Sequence, residues 1–158
     1  GQVKVEVFKG IEPKSTMQLQ FYGEAEWSME NRYAMRSVVD ALRIRLRETL
    51  REDKGGVYGV GISGVLAREP KELYSCSISF GCDPDKTDEL IDAAMEVVRK
   101  MQQEGPDEKI IKKIKETQLR GYEKGLKQNG YWTSVLSFYT ENDLDFRNIL
   151  NLRPGSML

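Results

Sequence analysis

Residues 42–63 read LRIRLRETLREDKGGVYGVGIS. The first part is a charged amphipathic helix, with Leu42, Leu46 and Leu50 recurring at four-residue steps. Gly55-Gly56 breaks it. From Val57 the chain reads as a glycine-rich strand. Arg51 stands at the end of the helix and Tyr58 at the start of the strand. A helix that enters a strand through two glycines can hold a cation and a phenol near one another. That pair is the best candidate for chemistry in the sequence. Parity argues against it, because Tyr58 is in step with Val60 and Ile62, which mark the core face. A bulge at Gly59 is required to swing the ring outward. Without the bulge, Arg51 is a helix-end cation favoured by the dipole and Tyr58 a strand tyrosine with a buried ring.

The flanking segments supply the rest of the fold. Residues 2–9 alternate, with Val3, Val5 and Val7 against Gln2, Lys4 and Glu6, and predict a half-buried strand. Gly10–Ser15 reads as a turn, and residues 16–24 as a second strand with Met17, Leu19 and Phe21 on one face. Ser28 is a helix N-cap, with Glu30 in the first turn. Met35, Val38, Val39, Leu42, Leu46 and Leu50 form the buried stripe of a helix running to about Glu52. Arg36, Arg43, Arg45 and Arg47 lie largely off that stripe and read as a solvated face. Strands over 57–67 and 72–82, linked through Glu69-Pro70-Lys71, predict an antiparallel hairpin. Asp83-Pro84 starts a helix that ends at Gly105. Further helices are predicted from Pro106 to about Gln128 and from Tyr131 to about Tyr139, with a possible short one near 146–150. The expected class is α+β: a largely antiparallel sheet of four or more strands with helices on one face. The other face carries Gln18, Gln20, Gly59, Gly61, Ser63, Ser75, Ser77 and Ser79. Small polar residues of this kind suit a cavity wall as well as a wet sheet face.

Bulk properties exclude several classes. The 158 residues fit a single domain, 1–158. A formal net charge of −1 gives no reason to expect nucleic acid or an anionic membrane as partner. No apolar run approaches the roughly 20 residues of a membrane span. There is no histidine, which removes triads built on a histidine base and every histidine-containing zinc motif. Cys76 and Cys82 fall in one predicted strand about 20 Å apart, too far for a disulfide, and read as buried thiols. Gly59-x-Gly61-x-x-Gly64 matches the dinucleotide fingerprint by letter, but it sits inside a strand followed by another strand. The acidic residues Asp83, Asp85, Asp88 and Glu89 are explained by a helix start. Glu48, Glu52 and Asp53 are surrounded by basic residues. No metal site is expected in this chain.

The segment LREDKGGVYGV resembles the arginine-to-tyrosine segment in the C-terminal half of pitrilysin-type zinc peptidases, the inverzincin family. Gly10-Ile11-Glu12-Pro13-Lys14-Ser15, Phe80-Gly81-Cys82-Asp83-Pro84 and Asn129-Gly130-Tyr131-Trp132 fall in similar places, so the resemblance covers nearly the whole chain. It implies paired α+β domains whose halves close over a chamber. It also implies zinc held by H-x-x-E-H in the N-terminal half, or in a partner subunit, and a peptide substrate. By motif match, Arg51 and Tyr58 would contact substrate and transition state, with Gly59 and Gly61 beside them. This chain would be an excised, C-terminally truncated piece, inactive alone. The alternatives are an inactive structural subunit of the same fold and a peptide-binding module. The sequence leaves the compartment open; for a bacterial parent the resemblance suggests periplasm or cell envelope.

Overall fold

In a computed structural model, the chain is described over residues 1–149, with Gln2, Gly10 and Glu12 excepted. The element order is β1 (Ser15–Glu24), α1 (Met29–Arg47), a π-helical turn (Glu48–Asp53), β2 (Val57–Ala67), β3 (Leu73–Cys82), α2 (Thr87–Glu104), α3 (Glu108–Gly125) and α4 (Asn129–Glu141). The strands form one antiparallel sheet in the order β1-β3-β2. The fold is α+β, as the alternation and helical stripes predict.

Packing places the helices on one face. Leu42, Leu46 and Leu50 meet Ile78, Phe80 and Cys82 of the central strand, with Leu90, Ala94 and Val98 of α2 completing the core. Leu46, Leu50, Ile78 and Leu90 are almost wholly buried, and each contributes roughly 1.5–3 kcal/mol by leaving water. Gly64 lets α1 lie close to β2: a Cβ there would stand 2.5 Å from Val39 Cγ2. Packing therefore accounts for the third glycine of the nucleotide-like pattern. α3 packs on α1 through Ala41, Ile110 and Ile114. The Ser28 hydroxyl caps α1 by accepting from the Asn31 N–H at 3.0 Å, and Asp107 caps α3 in the same way.

Four expectations change. Among the described residues the sheet has three strands, because residues 3–9 form none. Val3, Val5 and Val7 alternate as a strand would, yet each is at least 80% exposed; alternation makes a strand only where a neighbour pairs with it. Val38 turns outward from the α1 stripe. The solvated-arginine reading fails for two residues. Arg43 pairs with Asp40 and donates to the Ile62 carbonyl of edge strand β2, while Arg45 bridges Glu48 and the α3 cap Asp107. Finally, the α1 helix does not run on as α to Glu52 but widens to π after Arg47. Cys76 and Cys82 are buried free thiols. Of the predicted 146–150 helix, Phe146–Asn148 forms a 3₁₀ turn, and Leu150 lies outside the described residues. Gly10 and Glu12 of the predicted turn also lie outside them.

Candidate functional site

The helix-to-strand corner is built from two irregularities. Leu50 is buried in the core, and the π turn that carries it closes with the Lys54 N–H donating to the Thr49 carbonyl at 3.1 Å. One wide turn keeps Leu50 inside and leaves Arg51 exposed. Gly55 follows at φ +58°, a left-handed backbone that glycine adopts without steric cost. Gly56 lies against α2, where a Cβ would stand 3.0 Å from the Leu90 methyls. Lys54 Nζ donates to Glu89 Oε1 of α2 at 2.7 Å. This hydrogen bond, more than the accompanying charge attraction, holds the Glu89 carboxyl below its usual range.

The second irregularity lies in β2. Val57 pairs with Cys82 and Val60 with Phe80, so Tyr58 and Gly59 together oppose Gly81. This is the bulge that the parity argument required. Val57 and Val60 both face the core, and Tyr58 is 77% exposed on the open face. Its Cδ2 lies 3.8 Å from where a Gly81 Cβ would be, so the ring rests over Gly81. Gly61, next on that face, has no room for a Cβ, which would meet Ser79 Oγ at 2.7 Å. Gly59 has open space beside it and leaves bare backbone at the bulge.

The register then lays out a trough. Gly81, Ser79, Ser77 and Ser75 run down the central strand, between Gln18, Gln20 and Tyr22 of β1 and Gly61, Ser63 and Val65 of β2. Gln18 Nε2 donates to Ser77 Oγ at 3.2 Å. Tyr58 stands at one end, the end at which the π turn enters the sheet. Arg51 and Tyr58 are not joined by a hydrogen bond among the described residues, and neither is held by another side chain there. Both are exposed and available. Sequence reading missed Gly81 as the floor under Tyr58, and Glu89 and Leu90 as anchors of the corner. Gly81 was visible as the small residue in Phe80-Gly81-Cys82; the α2 anchors needed the tertiary structure. No group of three or more Cys, Asp or Glu among the described residues could hold a metal ion. No helix among them is long and apolar enough to cross a membrane.

The profile of the family described as "Peptidase M16 inactive domain" matches residues 9–118. The chain belongs to this family. An M16 domain with these features is also similar to the zinc protease PQQL-like protein of Arabidopsis thaliana, at 31% identity over 96 residues, 58% of this chain and 10% of that one. The probable zinc protease PqqL of Haemophilus influenzae is 29% identical over 102 residues, 65% of this chain and 11% of its own. The M16 domain thus spans about a tenth of the curated relatives it matches. Among solved structures, the periplasmic protease PqqL from Escherichia coli superposes with a TM-score of 0.72 at 22% identity, over 81% of this chain and 14% of that one. The ferredoxin protease FusC, in complex with Arabidopsis ferredoxin, gives 0.71 at 14% identity, over 92% and 17%. At these identities the two superpositions speak for the fold.

Proposed function

We propose that this M16 domain, residues 1–158, is the C-terminal, non-metal-binding part of a longer zinc peptidase. Its open sheet face forms one wall of the substrate chamber, and Arg51 and Tyr58 reach the bound peptide. The bulge at Tyr58-Gly59 carries this reading. It directs a phenol with no hydrogen-bond partner among the described residues out of the core, at the end of a trough floored by small residues. An ordinary β2 register would bury that ring.

Zinc, held by the N-terminal half of the same protein or by a partner subunit, would supply Lewis-acid activation of the scissile carbonyl. Tyr58 donates its O–H to the oxyanion that develops as the carbonyl is attacked. Arg51 donates to a peptide carbonyl and so grips the substrate in ground and transition state alike. Gly59 and Gly61 keep Cβ atoms out of the path, so an extended backbone can lie close to β2. A polypeptide substrate accords with the structurally similar FusC, which is seen in complex with a protein.

Complementation tests the proposal. The zinc-bearing half of the parent, expressed alone, should cleave peptides poorly, and adding the intact C-terminal half should restore turnover. A C-terminal half carrying Arg51→Ala and Tyr58→Phe should bind the zinc half equally well and restore little. Full restoration by the double variant would leave only a scaffolding role for this domain.

A further inference from the structure

A second concave site lies on the helical side of the sheet, where Gly64 and Leu66 of β2 also line it. A cavity of about 640 Å3 opens between α1, α3 and α4, a size typical of ligand sites. Its wall is aromatic, with Tyr131, Phe138 and Tyr139 of α4 facing Tyr33 of α1. Arg32 and Arg36, one helical turn apart, also line it. The Arg32 guanidinium lies over the Phe138 ring, 4.0 Å from its centroid. Neither arginine has a carboxylate partner among the described residues. Two like charges at this spacing repel one another. The apolar surroundings first, and the charge of Arg36 second, push the Arg32 guanidinium below its usual range. A cation pair with no carboxylate partner among the described residues, set in an aromatic cavity, is complementary to an anion with apolar neighbours. All of α4, with its aromatic wall, lies beyond residues 9–118, outside the part of the chain that the family profile describes.

We propose that this cavity binds an acidic peptide. A carboxylate sits between Arg32 and Arg36, and an adjacent apolar side chain rests against Tyr131 and Phe138. The wall favours peptide over an alkyl carboxylate. The Tyr131 and Tyr139 phenols both line the cavity, and neither hydroxyl has a hydrogen-bond partner among the described residues, so both can donate to main-chain carbonyls, a role that an alkyl chain cannot use.

The test is a titration of the 158-residue chain, read by tryptophan fluorescence, since Trp27 lies 6.4 Å from Phe138. The probes are the capped tripeptide phenylalanine–glutamate–phenylalanine, its glutamine analogue and dodecanoate. The acidic peptide should bind at least about tenfold more tightly than the glutamine analogue. That preference should vanish in Arg32→Gln/Arg36→Gln, and should persist in Arg47→Gln, an exposed arginine outside the cavity. Should the double variant not fold, the wild-type preference must still shrink as sodium chloride rises. Equal affinity for the two peptides, no binding of either at millimolar concentration, or a preference that survives loss of both arginines or high salt would overturn the proposal. Tighter binding of dodecanoate than of the acidic peptide would overturn the choice of a peptide.

Discussion

At the scale of single residues, the decisive observation is that one extra residue in β2 separates Tyr58 from the valines around it. Period-two counting put Tyr58 on the core face, and the condition for the opposite outcome was a bulge at Gly59. The structure contains it. The sequence could pose this question but not answer it, because a bulge is a property of pairing between strands and leaves no fixed signature in one of them. Gln118 was illegible for a different reason. It is a buried polar residue on a helix, interrupting an apolar stripe. Its amide donates to Ser37 and Asp40 and accepts from Tyr33. Gln118→Leu would remove three hydrogen bonds from a part-buried polar network, and a loss of about 1–3 kcal/mol in denaturant unfolding is expected. Leu50→Ala, which empties the inside of the π turn, should cost about 2–5 kcal/mol in the same assay.

At the scale of elements, most of the fold was readable. The Ser28 cap of α1, the Asp83 cap of the 3₁₀ turn Pro84–Lys86 that leads into α2, the apolar stripes and the β2–β3 hairpin all follow from local patterns with one physical cause each. The first strand failed because alternation in residues 3–9 reports the capacity to pair, and no partner strand lies beside it among the described residues. Hydrogen exchange separates these cases. In the isolated chain the amides of residues 3–9 should exchange fast, while those of β3, bonded on both sides, should be the most protected. Protection of residues 3–9 would mean that they pair after all. The close approach of α1 to β2 makes a further prediction. Gly64→Ala should destabilise by about 1–3 kcal/mol through overpacking. Shortening Val39 to alanine should recover part of that loss in a double-mutant cycle, because Val39 Cγ2 at 2.5 Å is the nearest atom in the way, with Met35 Cε next at 2.7 Å. A purely additive pair would show that the clash relaxes elsewhere.

At the scale of the whole molecule, the two faces of the sheet have different fates. One is sealed by α1 and α2. The other is open, lined with serine, glycine and glutamine, and bounded by the corner that carries Arg51 and Tyr58. In the longer zinc peptidase proposed as its parent, that open face is where another domain, and a substrate between them, would sit. The most direct test is steady-state kinetics of the parent enzyme carrying Tyr58→Phe, with Arg51→Ala for comparison. Tyr58→Phe should lower kcat by roughly a hundredfold, the effect of losing one oxyanion donor of about 3 kcal/mol, with little change in KM. The melting temperature should hold, because the hydroxyl has no hydrogen-bond partner among the described residues. Arg51→Ala should mainly raise KM. Full kcat in Tyr58→Phe, together with a lowered melting temperature, would contradict the account and make Tyr58 a structural residue.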